Sequence, residues 1–188
     1  MRLDEMRGFL SEDTINLHLG QYMKERCKCS IFEKSIPEVK GKTIRDIIEM
    51  PMRGALKEEL LECFIAAKSH ELYFSSFCTR RKACSEIKKY YSSEAAFLFE
   101  CSEKAKRLDS GFLYVIKDRG GAPRAVAEDE LRFGRGFSPC LALDMSEHAY
   151  FLDYRFAKER YIAAALAHLD LSEIFSGENC KLYLDTPI

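Results

Sequence analysis

Asp144 and His148 are the two residues whose types and spacing most directly suggest chemistry. They stand four positions apart, where the apolar run Leu141 to Leu143 meets a segment with a helical pattern after Glu147. Helical spacing would turn both side chains toward one point. A carboxylate oxygen and a neutral imidazole nitrogen suit iron, manganese or zinc better than magnesium or calcium. Because helix N-cap contacts and surface hydrogen bonds use the same spacing, the pair alone leaves both a metal site and a structural contact open.

Four segments of the chain resemble the iron/manganese superoxide dismutase family. Leu143 to Tyr154, LDMSEHAYFLDY, is similar to the family's D-x-W-E-H-A-Y signature, whose Asp and His both bind the metal. Leu10 to Gly20, LSEDTINLHLG, resembles the first helix of the family, in which the ligand His follows a T-x-x-x-H pattern. Ser69 to Phe74 resembles the N-H-x-x-F-W segment, and Ser110 to Tyr114 resembles the S-G-W-x-W strand with Phe and Tyr in place of the tryptophans. The resemblance extends over most of residues 10 to 175.

The resemblance implies a set of four metal ligands for one iron or manganese ion per chain: His18, His70, Asp144 and His148. The chain has only four histidines, and three of them fall on ligand positions. Taken separately, His18 reads as a half-buried helix residue and His70 as a surface residue beside Glu71. Their joint placement favours the ligand interpretation over both. His168 matches no ligand position and is predicted to be structural.

The elements that must position these residues predict an α+β fold. The resemblance implies a long N-terminal helical hairpin, residues 1–106, packed on a C-terminal α/β domain with a small antiparallel sheet, residues 107–188, with the metal between them. Ser11 is the predicted N-cap of a first helix that ends at about Cys27. Other predicted helices span Thr43 to Glu49, Leu56 to Phe77, Cys84 to Lys106 and Glu159 to His168, and predicted strands span Gly111 to Ile116, Arg124 to Ala127 and Pro139 to Leu143. The predicted helix from Cys84 to Lys106 contains four aromatic residues that we expect in the core: Tyr90, Tyr91, Phe97 and Phe99.

The residues that would surround the metal depart from the family pattern. Ala66 stands where one branch of the family has a glutamine that bonds the metal-bound solvent, and Ser146 stands where the family has a tryptophan. The gateway tyrosine is replaced by Arg26, whose charge would attract an anion such as superoxide. The histidine four residues after the first ligand is replaced by Tyr22. We expect Tyr22 or Tyr73 to take over the lost proton relay, which makes these two tyrosines and Arg26 the candidate catalytic residues.

Three functions remain open at this point. The resemblance implies a dismutase that converts superoxide to oxygen and hydrogen peroxide at a mononuclear iron or manganese site. The departures favour, as an alternative, a catalytically impaired homologue that keeps the metal for structure, sensing or interaction. A metal-free helical interaction module would require the placement of the histidines to be a coincidence. The sequence does not distinguish iron from manganese, because the residue that usually does so is the missing glutamine.

Composition sets the remaining expectations. The chain has 188 residues, 47% hydrophobic and 31% charged, with a net charge of -1. This composition is typical of a globular protein and gives no electrostatic case for nucleic acid as a partner. The absence of a long apolar run predicts no membrane span, and the acidic N-terminus predicts a cytoplasmic protein. The eight cysteines are expected to be reduced thiols. In the family, the counterpart of Glu147 bonds the ligand histidine of the other subunit, which implies a homodimer formed through Glu147 and His148.

Overall fold

The computed structural model describes residues 2–81, 83–130 and 138–188 of the chain. Its α-helices are α1 Leu3–Met6, α2 Glu12–Ser35, α3 Ile44–Glu49, α4 Ala55–Ser75, α5 Glu94–Arg107, α6 Phe151–Tyr154, α7 Lys158–His168, α8 Glu173–Ser176 and α9 Glu178–Leu184. Its strands are β1 Phe112–Lys117, β2 Pro123–Ala127 and β3 Ser138–Asp144. Short 3-10 turns lie at Pro37–Val39, Ser85–Lys89, Glu128–Glu130 and Glu147–Ala149. This arrangement confirms the predicted α+β class.

Helices α2 and α4 pack against each other as the long N-terminal hairpin. The predicted cap of α2 is confirmed, because the Ser11 hydroxyl accepts a hydrogen bond from the Thr14 amide at 3.2 Å. The predicted end at about Cys27 is wrong, since α2 continues to Ser35. No Gly or Pro follows Cys27 until Pro37, whose ring disfavours helical geometry in the residue before it.

The start of α3 also follows from local sequence. Thr43 and Asp46 form a reciprocal capping box, in which each side chain accepts from the other residue's backbone amide. Such boxes satisfy two of the amides that the first turn of a helix leaves unpaired. Gly54, at a φ of 79°, then turns the chain into α4. Glycine is favoured there because it lacks the Cβ that penalises positive φ.

The three strands form one antiparallel sheet in the order β2-β1-β3. Leu113 pairs with Ala127 on one side, and Phe112 pairs with Asp144 on the other. Helices α4 and α9 contact β3, while α5 contacts β2 and packs on α7. Asp144 is therefore the last residue of an edge strand that lies directly against the hairpin.

The predicted helix from Cys84 to Lys106 is wrong in its first half. A 3-10 turn occupies Ser85–Lys89, and α5 begins only after Ser93, whose hydroxyl accepts from the Ala96 amide at 3.0 Å. Ser93 is a good cap, and its extended backbone separates the two segments. Phe97 is buried as predicted, but Tyr90 and Phe99 are exposed, at 42% and 67% of their surface.

One cluster of buried apolar side chains includes residues from both of the predicted segments, and the division at residue 106 stays a prediction. Within the described parts of the chain, no helix combines the length and the apolar character that crossing a membrane requires.

Candidate metal centre

His18 lies on the face of α2 that points into the protein. The buried residues of this helix recur every three or four positions, at Thr14, Ile15, His18, Tyr22, Glu25 and Cys29. This spacing places them on one side of a helix. The His18 side chain has no exposed surface, and its ring centre lies 4.4 Å from that of Tyr73 on α4. His18 is therefore completely enclosed at the interface of the hairpin, and not half-buried as the alternative to the ligand interpretation would have it.

His70 lies about four turns into α4 and is oriented by its own helix. Its Nδ1 atom is 2.8 Å from the carbonyl oxygen of Ala66, one turn earlier. This contact assigns the proton to Nδ1 and leaves Nε2 as the atom with a free lone pair. The residue is only 4% exposed, and its ring packs edge-on against the His18 ring at 5.2 Å. His70 is thus buried in the interior and not on the helix surface.

Asp144 and His148 come from the end of β3 and the turn that follows it. The Asp144 Oδ1 atom accepts from the Ser146 amide at 2.8 Å, and its backbone carbonyl accepts from the Tyr161 hydroxyl at 2.8 Å. A 3-10 turn at Glu147–Ala149, where the sequence showed a helical pattern, brings His148 Nε2 to 3.0 Å from Asp144 Oδ2. The carboxylate is fully buried, whereas the His148 side chain keeps 26% of its surface exposed.

The fold brings all four predicted ligands together. One ligand atom from each of His18, His70, Asp144 and His148 lies within 4.8 Å of the others. Ligand atoms bonded at about 2.1 Å to a single ion are at most about 4.2 Å apart. The observed spread is close to this limit, so a small closure of the side chains would place four donors around one cation.

The charge states of the buried residues suit metal binding. Burial lowers the pKa of His18 to about 4, against the opposing effect of Asp144, and burial also lowers the pKa of His70. Burial alone would raise the pKa of Asp144, but its contacts with His148 and His18 outweigh this and lower it. At neutral pH the Asp144 carboxylate therefore lies beside the neutral imidazoles of His18 and His70, which is the protonation state in which these groups coordinate a metal.

Unpartnered nitrogens provide a second test of whether a cation fits. Both ring nitrogens of His18 and the Nε2 atom of His70 are buried without a hydrogen-bond partner among the described residues. His18 Nε2 is 3.1 Å from Asp144 Oδ2, but the two atoms are not aligned for a hydrogen bond. Buried polar atoms without partners are costly and rare in folded proteins. A metal ion bonded to His18 and His70 would satisfy one nitrogen on each ring, so the donor set fits the group that the sequence implies.

A polar chain beside the cluster was not predicted from the sequence. The Tyr22 hydroxyl donates to Glu71 at 2.8 Å, and the other carboxylate oxygen of Glu71 accepts from Lys68 at 2.7 Å. Lys68 is 1% exposed and also donates to Thr186 and to the carbonyl of Pro187. Tyr22 and Glu71 are 49 residues apart in sequence, so no local pattern could have indicated the pair.

The three candidate catalytic residues lie at different distances from the cluster. The ring of Tyr73 packs on His18, and its hydroxyl is 3.3 Å from that of Tyr161. The ring centre of Tyr22 is 6.3 Å from that of His70. Arg26 is half-buried one turn further along α2, and none of the hydrogen bonds or ion pairs found between described side chains joins it to a ligand. The two tyrosines border the site, while the role assigned to Arg26 rests on its charge alone.

Fold and site together define a class of α+β protein with a three-histidine, one-aspartate centre between a helical hairpin and a small sheet. The family model of iron/manganese superoxide dismutases, C-terminal domain, matches residues 79–176, more than half of the chain. The chain belongs to the iron/manganese superoxide dismutase family. This match contains Asp144 and His148, whereas His18 and His70 precede it.

Individual relatives extend the similarity into the hairpin. A superoxide dismutase (Fe) of Legionella pneumophila is 26% identical over 95% of this chain and 94% of its own length. A superoxide dismutase (Fe) of Bacteroides fragilis is 26% identical over 78% of this chain and 79% of its own length. A chloroplastic superoxide dismutase (Fe) 2 of Oryza sativa subsp. japonica is 23% identical over 89% of this chain and 70% of its own length. The similarity is therefore distant but spans most of the chain.

Proposed function

We propose that this protein is a superoxide dismutase that uses one iron or manganese ion held by His18, His70, Asp144 and His148. The observation that carries the proposal is the convergence of these four ligand atoms within 4.8 Å, with unpartnered nitrogens on two of the buried histidines. Family membership and the iron enzymes among its relatives support the same function. When bound, such an ion supplies one-electron chemistry, by which superoxide is converted to oxygen and hydrogen peroxide.

The protein's own residues have three tasks in this proposal. Burial keeps His18 and His70 neutral and available as ligands, as their lowered pKa values indicate. The Ser146 amide and the Tyr161 hydroxyl hold Asp144 in place from two sides. Such outer contacts orient ligands and tune the metal they hold. The chain from Tyr22 through Glu71 to Lys68 offers a hydrogen-bonded route on which protons can be held beside His70.

A specific observation favours the second candidate, a metal-binding homologue with impaired catalysis. Ala66 contributes only a methyl group where a branch of the family has a hydrogen-bonding glutamine, and Ser146 instead bonds Ser110 and the Gly111 amide. Neither side chain offers the hydrogen bonding or the bulk of the residue it replaces. In an impaired homologue, the metal would be bound but superoxide would not be converted.

A superoxide consumption assay on iron-loaded and manganese-loaded protein separates the two candidates. We expect a rate that scales with bound metal and disappears in Asp144→Asn, a variant of nearly the same shape without the charge. Metal retained at one ion per chain with no rate above that of free metal in either sample would discard the enzyme and leave the impaired homologue.

We further propose a homodimer in which Glu147 contacts the other subunit beside His148. Glu147 is exposed in the single chain, and His148 is the ligand that keeps access to solvent. Light scattering should give twice the chain mass for the wild type and a weaker association for Glu147→Ala. A monomer at all concentrations would contradict the dimer without affecting the metal site.

A further inference from the structure

Cys29 and Cys63 place two thiols in contact across the helical hairpin. Cys29 lies on α2 and Cys63 on α4, and their Sγ atoms are 2.9 Å apart. The Cys29 thiol also lies 3.4 Å from the backbone carbonyl of Cys63, to which it can donate. Both residues are free cysteines. The chain thus brings together two sulfur atoms from positions 34 residues apart in sequence.

Only one of the two thiols borders solvent. Cys63 lines an open surface cavity of about 370 Å³ between α2 and α4, together with Lys28, Glu62 and Ala66. Cys63 is 7% exposed, whereas Cys29 is 1% exposed and does not line the cavity. A small molecule in the cavity therefore meets Cys63 first, with Cys29 directly behind it.

The pKa values of the two thiols differ in the direction that also favours reaction at Cys63. The hydrogen bond from Cys29 lowers the pKa of the Cys63 thiol, with burial and Glu25 opposing and Lys28 assisting. The same contact, together with burial, raises the pKa of Cys29. Since the thiolate is the form that reacts with oxidants, Cys63 is the attacking sulfur and Cys29 the sulfur held in its protonated form.

We infer that Cys29 and Cys63 form a modification site at which hydrogen peroxide, reacting first at Cys63, produces a disulfide between α2 and α4. The Cys63 thiolate attacks one peroxide oxygen, the O–O bond breaks, and hydroxide leaves as Cys63 becomes a sulfenic acid. Cys29 then attacks this sulfur and displaces the hydroxyl group, which leaves as water with the Cys29 proton. In sum, two thiols and one peroxide give one disulfide and two waters.

The position of the site connects it to the candidate metal centre. The two cysteines lie on the same helices as His18 and His70, eleven and seven residues away respectively. A disulfide would tie these two ligand-bearing helices together. Hydrogen peroxide is a product of the proposed dismutase reaction. The inference rests on that proposed function only in that the reaction would supply the oxidant.

The test treats the purified full-length protein with added hydrogen peroxide, alkylates the remaining thiols and maps peptides by mass spectrometry without reduction. Before alkylation, we expect an intact-mass loss of roughly 2 Da per chain, for two hydrogens. After alkylation, we expect a Cys29–Cys63 cross-linked peptide that dithiothreitol reverses. Cys29→Ser should accumulate a Cys63 sulfenic acid that dimedone traps. Cys27→Ser is the matched control on the same helix and should leave the cross-link unchanged.

Two results would overturn the inference. One is wild-type protein in which Cys29 and Cys63 stay reduced while other thiols, such as the exposed Cys27, are oxidised. The other is Cys63 oxidised to a sulfinic acid without a cross-link to Cys29. Because the peroxide is added, a protein without dismutase activity can still form the disulfide, and an active dismutase without the disulfide would contradict this inference alone.

Discussion

His70 and His168 are helical histidines with the same local hydrogen bond and different surroundings. In each, Nδ1 lies near the carbonyl oxygen four residues earlier, at 2.8 Å from Ala66 and 2.9 Å from Ala164. The Nε2 atom of His70 is buried without a partner beside two other histidines. The His168 ring instead stacks on Phe9 at 5.0 Å. Local helix structure therefore orients both rings equally, and the convergence of other donors is what makes one of them a candidate ligand.

Gly8 shows how closely the His168 ring is packed. A Cβ atom at this position would lie 2.7 Å from His168 Nε2. The Nε2 atom of His168 thus faces the backbone of Gly8. The Nε2 atom of His70, in contrast, faces a carboxylate and two imidazoles. The comparison predicts that changes around His70 alter metal content, whereas changes around His168 alter only stability.

The largest effect is expected from Asp144→Ala. This change removes the buried carboxylate that lies 3.0 Å from His148 and 3.1 Å from His18. The Ser146 amide and the His148 ring lose their charged hydrogen-bond acceptor, which costs about 1.5 to 3 kcal/mol, and we expect metal retention to be abolished. Elemental analysis and urea unfolding measure the two losses. Asp170→Ala, near His168, is the control, because its partners Arg2 and Ser172 lie at the surface. Full metal content in Asp144→Ala would contradict the assignment of this carboxylate as a metal ligand.

The metal-free protein should lose stability as the pH falls. Burial places the pKa of folded His18 at about 4, below its ordinary value of 6.5. The unfolded chain therefore binds more protons between these values, so stability is full above pH 6.5 and decreases toward pH 4, by on the order of 3 kcal/mol. Urea unfolding of metal-free protein across this window measures the slope. His18→Gln should reduce the slope to the part that His70 contributes, and an equally steep loss in that variant would refute the assignment to His18.

The variants His70→Ala and His168→Ala compare the two histidines directly, through metal affinity and stability. Loss of one of four ligands should weaken metal binding by at least about tenfold to a hundredfold, as even changes to outer contacts do. His168→Ala should keep the metal and lose about 1 to 2 kcal/mol of stability through lost packing on Phe9. Chelator competition measures the metal affinity, and denaturant unfolding measures the stability. Equal metal loss in the two variants would contradict the assignment of His70 as a ligand and His168 as a structural residue.

The smallest effect is expected from Tyr22→Phe. The variant keeps the ring beside His70 and removes only the hydroxyl that donates to Glu71. Metal content should therefore stay constant while turnover falls by about tenfold, the lower end of the range for changes to outer contacts. Steady-state superoxide consumption at matched metal content measures this difference. Loss of metal in the variant would show that Tyr22 supports the ligands and not the proton route.

The sequence predicted the ligands and most element starts because these features are local or carried by family motifs. Ser11 and Thr43 cap helices through side chains three residues from their partners. The pair Asp144 and His148 is close in sequence and becomes close in space through one short turn. His18 and His70 required the family resemblance, since nothing local shows that α2 and α4 bring them together.

The features that sequence did not predict depend on tertiary contacts. The pairing of Tyr22 with Glu71 and of Cys29 with Cys63 joins residues on two separate helices. The exposure of Phe99 depends on which face of α5 meets the sheet. The break before Ser93 was missed because the aromatic residues around it fit a helical pattern, while the capping hydrogen bond of Ser93 ends that pattern.

In the proposed function, one iron or manganese ion is bound by four side chains: His18, His70, Asp144 and His148. Elemental analysis of the wild-type protein, purified without added metal, tests it most directly. We expect about one iron or manganese ion per chain, retained through dialysis against a weak chelator. Less than about a tenth of an ion per chain, with no uptake after incubation with either metal, would contradict it and favour a metal-free helical module.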